Sequence, residues 1–162
     1  MKWKKYCQIL KRQKNEQLFF LDATIILEIL FNQPRKEEWL DFLGMFRGRG
    51  KTGILSNFTL GEIVRNIYYF EEKFYERYDT ELGMKTLNEL IEGYRIEIET
   101  IDMGADKFAH QIMEYDTRIH FEDALNIGFA KSICCMFFCS IDSGISQATL
   151  HHFGLKKIEQ NE

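Results

Sequence analysis

Four apolar residues in a row, Leu18-Phe19-Phe20-Leu21, stop at Asp22, and helical periodicity begins at once with Ile25, Ile26, Ile29 and Leu30. A run that short, with no polar alternation, predicts a strand buried on both faces, as in the middle of a parallel sheet. Parallel strands need crossover connections, so the helix pattern that follows fits the same reading. Pro34 ends that helix. With 162 residues, 45% of them hydrophobic and one of them proline, the chain has enough apolar material for one domain with a full core. The same figures exclude disordered and fibrous classes.

The rest of the pattern extends this opening. Trp39, Leu40 and Leu43 predict a second short helix, which leads into a basic loop, Arg47 to Gly53. Ile54 and Leu55 predict a brief strand, and Leu60, Ile63, Val64, Ile67, Phe74 and Tyr78 mark one face of a long helix. A helix is expected over Leu82–Ile91. Residues 94–101 alternate polar with apolar, which predicts a strand near a sheet edge. Helices over Asp106–Tyr115 and Phe121–Ile133 precede an apolar strand, Cys134–Ile141, which again ends in an aspartate, Asp142. A last helix over Gln147–Phe153, closed by Gly154, and a strand over Leu155–Ile158 complete the order. Strands alternating with helices predict a three-layer α/β/α sandwich with a central, mostly parallel sheet. In such sheets ligands bind beyond the carboxyl ends of the strands, so the residues just after each strand are the candidates for function.

The formal charge is −4, unevenly spread. The first fourteen residues hold six cations, Lys2, Lys4, Lys5, Lys11, Arg12 and Lys14, and no acid, so residues 1–17 read as a basic extension before an acidic domain spanning 18–162. An acidic body argues against a nucleic-acid surface spread over the whole protein and leaves room for a local one. Cys7, Cys134, Cys135 and Cys139 have neither metal-site nor disulfide-framework spacing, and the last three are expected to serve as small core side chains. Leu18–Phe31, the longest apolar stretch, is broken by Asp22 and Glu28 and cannot span a membrane. A reducing cytoplasm is the expected compartment.

Four acids fall at the predicted functional edge. Asp22 follows the first strand, Glu62 lies in the early turns of the long helix, Asp123 opens a helix, and Asp142 follows the Cys134–Ile141 strand. Carboxylates crowded together raise one another's pKa and need a cation to remain ionised. Oxygen-only ligands suit Mg²⁺ or Mn²⁺ better than Zn²⁺. Such an ion lowers the pKa of a water and stabilises the oxygens of an in-line phosphoryl displacement. Each acid also has a structural reading: Asp22 and Asp142 as caps, Glu62 as the far end of a capping box Thr59-Leu60-Gly61-Glu62 or as a partner of Arg65, and Asp123 as a first-turn acid.

The segment Leu18-Phe-Phe-Leu-Asp-Ala-Thr-Ile-Ile-Leu27 resembles the opening strand and helix of PIN-domain ribonucleases, among them the VapC-like toxins of toxin–antitoxin pairs. Phe121-Glu-Asp-Ala-Leu-Asn-Ile-Gly-Phe-Ala130 is similar to their Asp-Ala helix, and Phe138-Cys-Ser-Ile-Asp142 to their late strand; Phe153-Gly-Leu-Lys156 resembles the lead into their last strand. The resemblance runs from about Leu18 to Ile158 and rests on order and spacing. It implies a Mg²⁺- or Mn²⁺-dependent endoribonuclease with Asp22, Glu62, Asp123 and Asp142 as the acidic site; Asp22, Asp123 and Asp142 are the metal ligands, and Thr24 and Ser140 the polar supports. An antitoxin protein and a second copy of the chain are the partners it implies, beside the RNA substrate. Small residues at Ala124 and Gly128 are expected to let the Asp123 helix approach the sheet closely.

Three other readings of this resemblance remain: a PIN nuclease that processes RNA without an antitoxin, a catalytically idle module that binds RNA or protein, and a nuclease acting on structured DNA. Gly50-Lys51-Thr52 lacks the glycine spacing of a phosphate-binding P-loop, which leaves Arg47, Arg49 and Lys51 as weak candidates for contact with RNA phosphate. His151 and His152 have no zinc-ligand spacing and are expected at the surface. The aromatic residues Tyr68, Tyr69, Phe70, Phe74, Tyr75 and Tyr78 fit core or subunit contact better than base stacking.

Overall fold

A computed structural model describes residues 16–74 and 79–159. Residues 1–15 of the basic extension, Cys7 among them, Tyr75 and Tyr78, and the side chain of Phe74 lie outside what is described, whereas Gln17, the last residue of the expected extension, opens the first strand. The elements are β1 (Gln17–Leu21), α1 (Ala23–Leu30), α2 (Lys36–Gly44), a 3₁₀ turn (Met45–Arg47), β2 (Lys51–Ser56), α3 (Asn57–Phe74), α4 (Thr80–Gly93), β3 (Glu97–Glu99), α5 (Met103–Tyr115), α6 (Phe121–Ser132), β4 (Phe137–Cys139), α7 (Gln147–His152) and β5 (Lys156–Ile158).

All five strands are parallel, in the order β3-β2-β1-β4-β5. The unbroken apolar run of β1 is explained by its central position. Leu18 and Phe20 point into a core formed with α5, α6 and α7, whereas Phe19 and Leu21 point into a second core formed with α1 to α4. Phe19 stacks on Phe137 and Phe20 on Phe138, so the pairing of β1 with β4 is carried by aromatic rings on both faces. Helices cover both faces, and the architecture is the α/β/α sandwich the pattern predicts.

Four local expectations need correction. First, β2 begins at Lys51, inside the predicted basic loop, because Lys51 and Thr52 pair with Gln17 and Leu18. Gly53 lies within that strand, where an added Cβ would meet the Phe46 ring at 2.8 Å. Second, the predicted strand Cys134–Ile141 shrinks to Phe137–Cys139. Cys134 adopts a left-handed conformation (φ 62°), and the N–H groups of Cys134 and Cys135 return to the Lys131 and Ala130 carbonyls to close α6. Cys134 is therefore exposed, while Cys135 and Cys139 are buried. Third, the strand expected over residues 94–101 shrinks to Glu97–Glu99: Ile96 just before it is buried, but Ile98 within it is 45% exposed, so the alternation does not bury one face. Fourth, Gly128 makes room for α5 and not for the sheet: a Cβ there would collide with the Ala105 carbonyl oxygen and meet Ala109 N at 2.9 Å.

Among the aromatic residues of α3, Phe70 stacks on Phe31 with ring centroids 3.8 Å apart, and Tyr68 and Tyr69 are exposed. His151 and His152 are at the surface, where His152 stacks on Tyr115. Among the described residues no helix is long and apolar enough to cross a membrane.

Candidate active site

From β1 the chain moves outward through β2 to β3, then returns to place β4 and β5 on the other side of β1. The connections leaving β1 and β4 thus diverge, and the crevice between the carboxyl ends of those two strands is the topological switch point of the sheet. Asp22 is the first residue beyond β1, and Ser140 the first beyond β4; the Asp22 N–H donates to the Cys139 carbonyl, which continues the ladder to the edge.

Asp22 stands at the start of α1 and makes no side-chain cap hydrogen bond, so helix capping does not account for it. It is 5% exposed, and its Oδ2 accepts from the hydroxyls of both Thr24 and Ser140 at 2.7 Å. Ser140 Oγ also accepts from the Asp142 N–H at 3.0 Å, so one buried hydroxyl joins the first and last of the four acids. Burial raises the Asp22 pKa against the lowering effect of the two hydroxyls, and Asp142 raises it further. Asp142 turns one oxygen, Oδ1, to the Gly144 N–H at 2.7 Å, and its carbonyl accepts from Lys157 Nζ at 3.0 Å.

The capping box proposed for Glu62 does not form. The helix α3 starts earlier than that box requires, and its cap is Ser56, whose Oγ accepts from the Thr59 N–H at 2.9 Å. Glu62 is left partly buried, with a pKa raised to about 7 by burial and then by Asp22, against a lowering effect of Arg65; Glu122 and Asp123 raise it further. Asp123 lies in the first turn of α6, and its pKa is raised to about 6 by burial, Asp142 and Asp22, with His120 opposing. Each of the four predicted acids thus acts electrostatically on at least one other, and Glu122, which was not among the candidates, acts on Glu62 and Asp123.

The acids face one another at electrostatic range. Among the described residues no group of three or more His, Cys, Asp or Glu side chains is arranged to hold a metal ion. The donor set is oxygen alone, which fits Mg²⁺ or Mn²⁺; these ions accept one or two carboxylates and fill their remaining positions with water or phosphate oxygens.

The basic loop residues are not part of this cluster. Lys51 pairs with Gln17 at the opposite end of β1 from Asp22. Arg47 donates from Nε to the Gly93 carbonyl at 3.0 Å and lies 4.3 Å from the Tyr94 ring centre. Arg49 is exposed in the turn between them.

Sequence reasoning missed Asn126. It is 2% exposed on α6, and its Oδ1 accepts from Thr59 Oγ1 at 3.1 Å. A single asparagine in a helix carries no signal of such a role.

The fold matches solved structures closely enough to identify it. VapBC2 from Rickettsia felis, solved bound to a DNA fragment from its promoter, superposes with a TM-score of 0.67 at 12% identity, covering 90% of this chain and 100% of that one. The chain has a PIN fold. FitAcB from Neisseria gonorrhoeae gives 0.55 at 20% identity, over 87% of this chain and 96% of that one. VapC20 from Mycobacterium tuberculosis, described as a sarcin-ricin loop cleaving toxin, gives 0.56 at 12% identity, over 77% and 90%. No family model matches the chain, and no curated protein matches it in sequence. At these identities it is the PIN fold that is shared, and the chemistry must be argued from the site itself.

Proposed function

We propose that the protein is a metal-dependent endoribonuclease that hydrolyses RNA phosphodiester bonds. The observation that carries this reading is the set of acids after β1, on α3 and α6 and after β4 whose charges, with burial, raise the pKa values of Asp22, Glu62 and Asp123 at the switch point of the sheet. Helix capping does not account for Asp22 or Glu62, since Asp22 makes no side-chain cap hydrogen bond and the Glu62 capping box is absent. Folded chains keep such a cluster at a cost in stability, and a cation is what relieves it.

Asp22, Asp123 and Asp142 would hold Mg²⁺ or Mn²⁺. When bound, such an ion makes a water more acidic and offsets charge on the phosphate oxygens. The chain's own groups do the rest. Thr24 and Ser140 fix the Asp22 carboxylate in one orientation. With a pKa of about 7, Glu62 can take or give a proton at its carboxylate near neutral pH. Exposed cations near the acids, such as Arg65, are available to the RNA backbone. The likeness to VapBC2 and to VapC20, the latter described as a sarcin-ricin loop cleaving toxin, supports a toxin held by an antitoxin partner.

Cleavage of a labelled unstructured RNA with Mn²⁺, beside an EDTA control, tests the proposal. Asp22→Asn should fold normally and lose cleavage. Metal-independent cleavage, or full activity in Asp22→Asn, would refute it. No cleavage and no calorimetric Mn²⁺ binding by the wild-type protein would favour an idle binding module.

A further inference from the structure

The first turns of α3 and α6 carry two of the acids, yet the helices belong to different cores: Ile63 and Ile67 of α3 pack with α1 and α4, whereas Ala124 and Ile127 of α6 pack with α5. Apolar packing within either layer therefore does not set the spacing between Glu62 and Asp123. A buried polar chain crosses that gap. The Thr59 N–H donates to Ser56 Oγ at 2.9 Å, Ser56 Oγ and Thr59 Oγ1 lie 2.8 Å apart, and Thr59 Oγ1 donates to Asn126 Oδ1 at 3.1 Å. With Ser56 giving its proton to Thr59, and Thr59 giving its own to Asn126, every short contact has one donor and one acceptor. The Ser56–Asn126 approach at 3.5 Å is the longer alternative.

Placement in sequence gives this chain its meaning. Thr59 stands three residues before Glu62, and Asn126 three residues after Asp123, so each clasp residue shares a helix face with its acid one turn away. Ser56, Thr59 and Asn126 are at most 2% exposed. Ser56 has its own duty as the α3 cap; Asn126 has none in α6, where its neighbours Ala124, Ile127, Gly128, Phe129 and Ala130 are all buried and small or apolar. Among the hydrogen bonds of the described residues, those to Asn126 are the side-chain bonds that tie the start of α3 to α6.

We propose that Asn126 is a positioning residue: through Thr59 it fixes the separation of Glu62 and Asp123, so that the proton-carrying Glu62 is held in register with Asp123, which would hold the cation. The proposal rests on the nuclease reading above. It is distinct from a packing role because it depends on the hydroxyl of Thr59 and not on its volume.

The test uses the full chain and four variants: Thr59→Val, Thr59→Ser, Asn126→Leu, and the double variant Thr59→Val with Asn126→Leu. The double change removes the Thr59 donor and the Asn126 acceptor together, so neither is left facing an empty partner, while Ser56 Oγ keeps the Thr59 N–H; it should cost less stability than Thr59→Val alone. Melting in EDTA reports folding, calorimetry with Mn²⁺ reports the acids, and kcat and KM on RNA report turnover. The folded Val and Leu variants, the double included, should bind Mn²⁺ about 10–100-fold more weakly, as loss of supporting hydrogen bonds around metal ligands generally costs. Their kcat should fall comparably with KM unchanged, and Thr59→Ser should retain both properties. Wild-type Mn²⁺ affinity and kcat in the folded double variant would overturn the clasp, as would a Thr59→Ser protein as impaired as Thr59→Val. A wild-type protein that neither binds Mn²⁺ nor cuts RNA would overturn the nuclease reading itself, and the clasp's purpose with it.

Discussion

Replacing Glu62 by Gln should make the metal-free protein more stable at pH 8 while depriving it of activity. In the folded chain this carboxyl has a pKa of about 7, against an ordinary 4.5, because burial and the neighbouring Asp22 disfavour its charge. Between those two values the folded state binds more protons than the unfolded one, so stability falls as pH rises from 4.5 to 7 and stays low above. The full shift corresponds to roughly 3.4 kcal/mol, but the group is half-exposed and solvent screening brings the useful figure to about 1–2 kcal/mol. For a domain of this size that is a rise in melting temperature of about 2–8 °C. Thermal melts in EDTA at pH 5 and pH 8 measure it: the wild-type curve should drop between the two, and the Glu62→Gln curve should drop less. Added Mn²⁺ should raise the wild-type melting temperature at pH 8 more than the variant's. A variant no more stable than wild type at pH 8 would refute the argument, because it would mean that neither burial nor the neighbouring acids disfavour the Glu62 charge there.

Two further outcomes test the packing around the site. Gly128→Ala should destabilise the protein by about 1–3 kcal/mol in denaturant titration, since its Cβ must displace the α5 backbone at Ala105 and Ala109; a neutral result would mean that α5 and α6 are not in backbone contact. Thiol labelling of the native protein followed by peptide mapping should modify Cys134 quickly and spare Cys135 and Cys139, whose thiols are buried and whose pKa values burial raises; equal labelling of the three would contradict the α6–β4 turn.

The layer order was legible because each core uses a different sequence period. Leu18–Leu21 reads as a central strand since it must satisfy two cores, and Ile25, Ile26 and Ile29 read as a helix since they face one. Asp22 and Asp142 were legible as the residues where apolar strands stop. Less legible were features decided by backbone pairing. The start of β2 at Lys51 follows from its pairing with Gln17, which no local propensity reveals. That longer strand moves the α3 cap from Thr59 to Ser56, and so turns Glu62 from a capping residue into a member of the acidic cluster. Cys134 took a left-handed conformation that sequence rules reserve mostly for Gly and Asn. Asn126 was invisible for a different reason: its partner is 67 residues away.

The features that resist local explanation all lie at one edge. A chain whose first strand is built from Leu and Phe has no folding need for a buried aspartate directly after it, nor for an asparagine in the apolar face of α6. Each costs desolvation, and each is held by hydroxyls placed to receive it: Thr24 and Ser140 for Asp22, Thr59 for Asn126. These supports orient the carboxylates without neutralising them, so Glu62 and Asp123 keep raised pKa values where a structural ion pair would have lowered them. Asp116 gives the contrast within the same chain: paired with Arg118 and Thr149, its pKa is lowered to about 2. The protein thus compensates an acid fully where the role is structural, and leaves Asp22, Glu62 and Asp123 with raised pKa values at the carboxyl edge of the sheet.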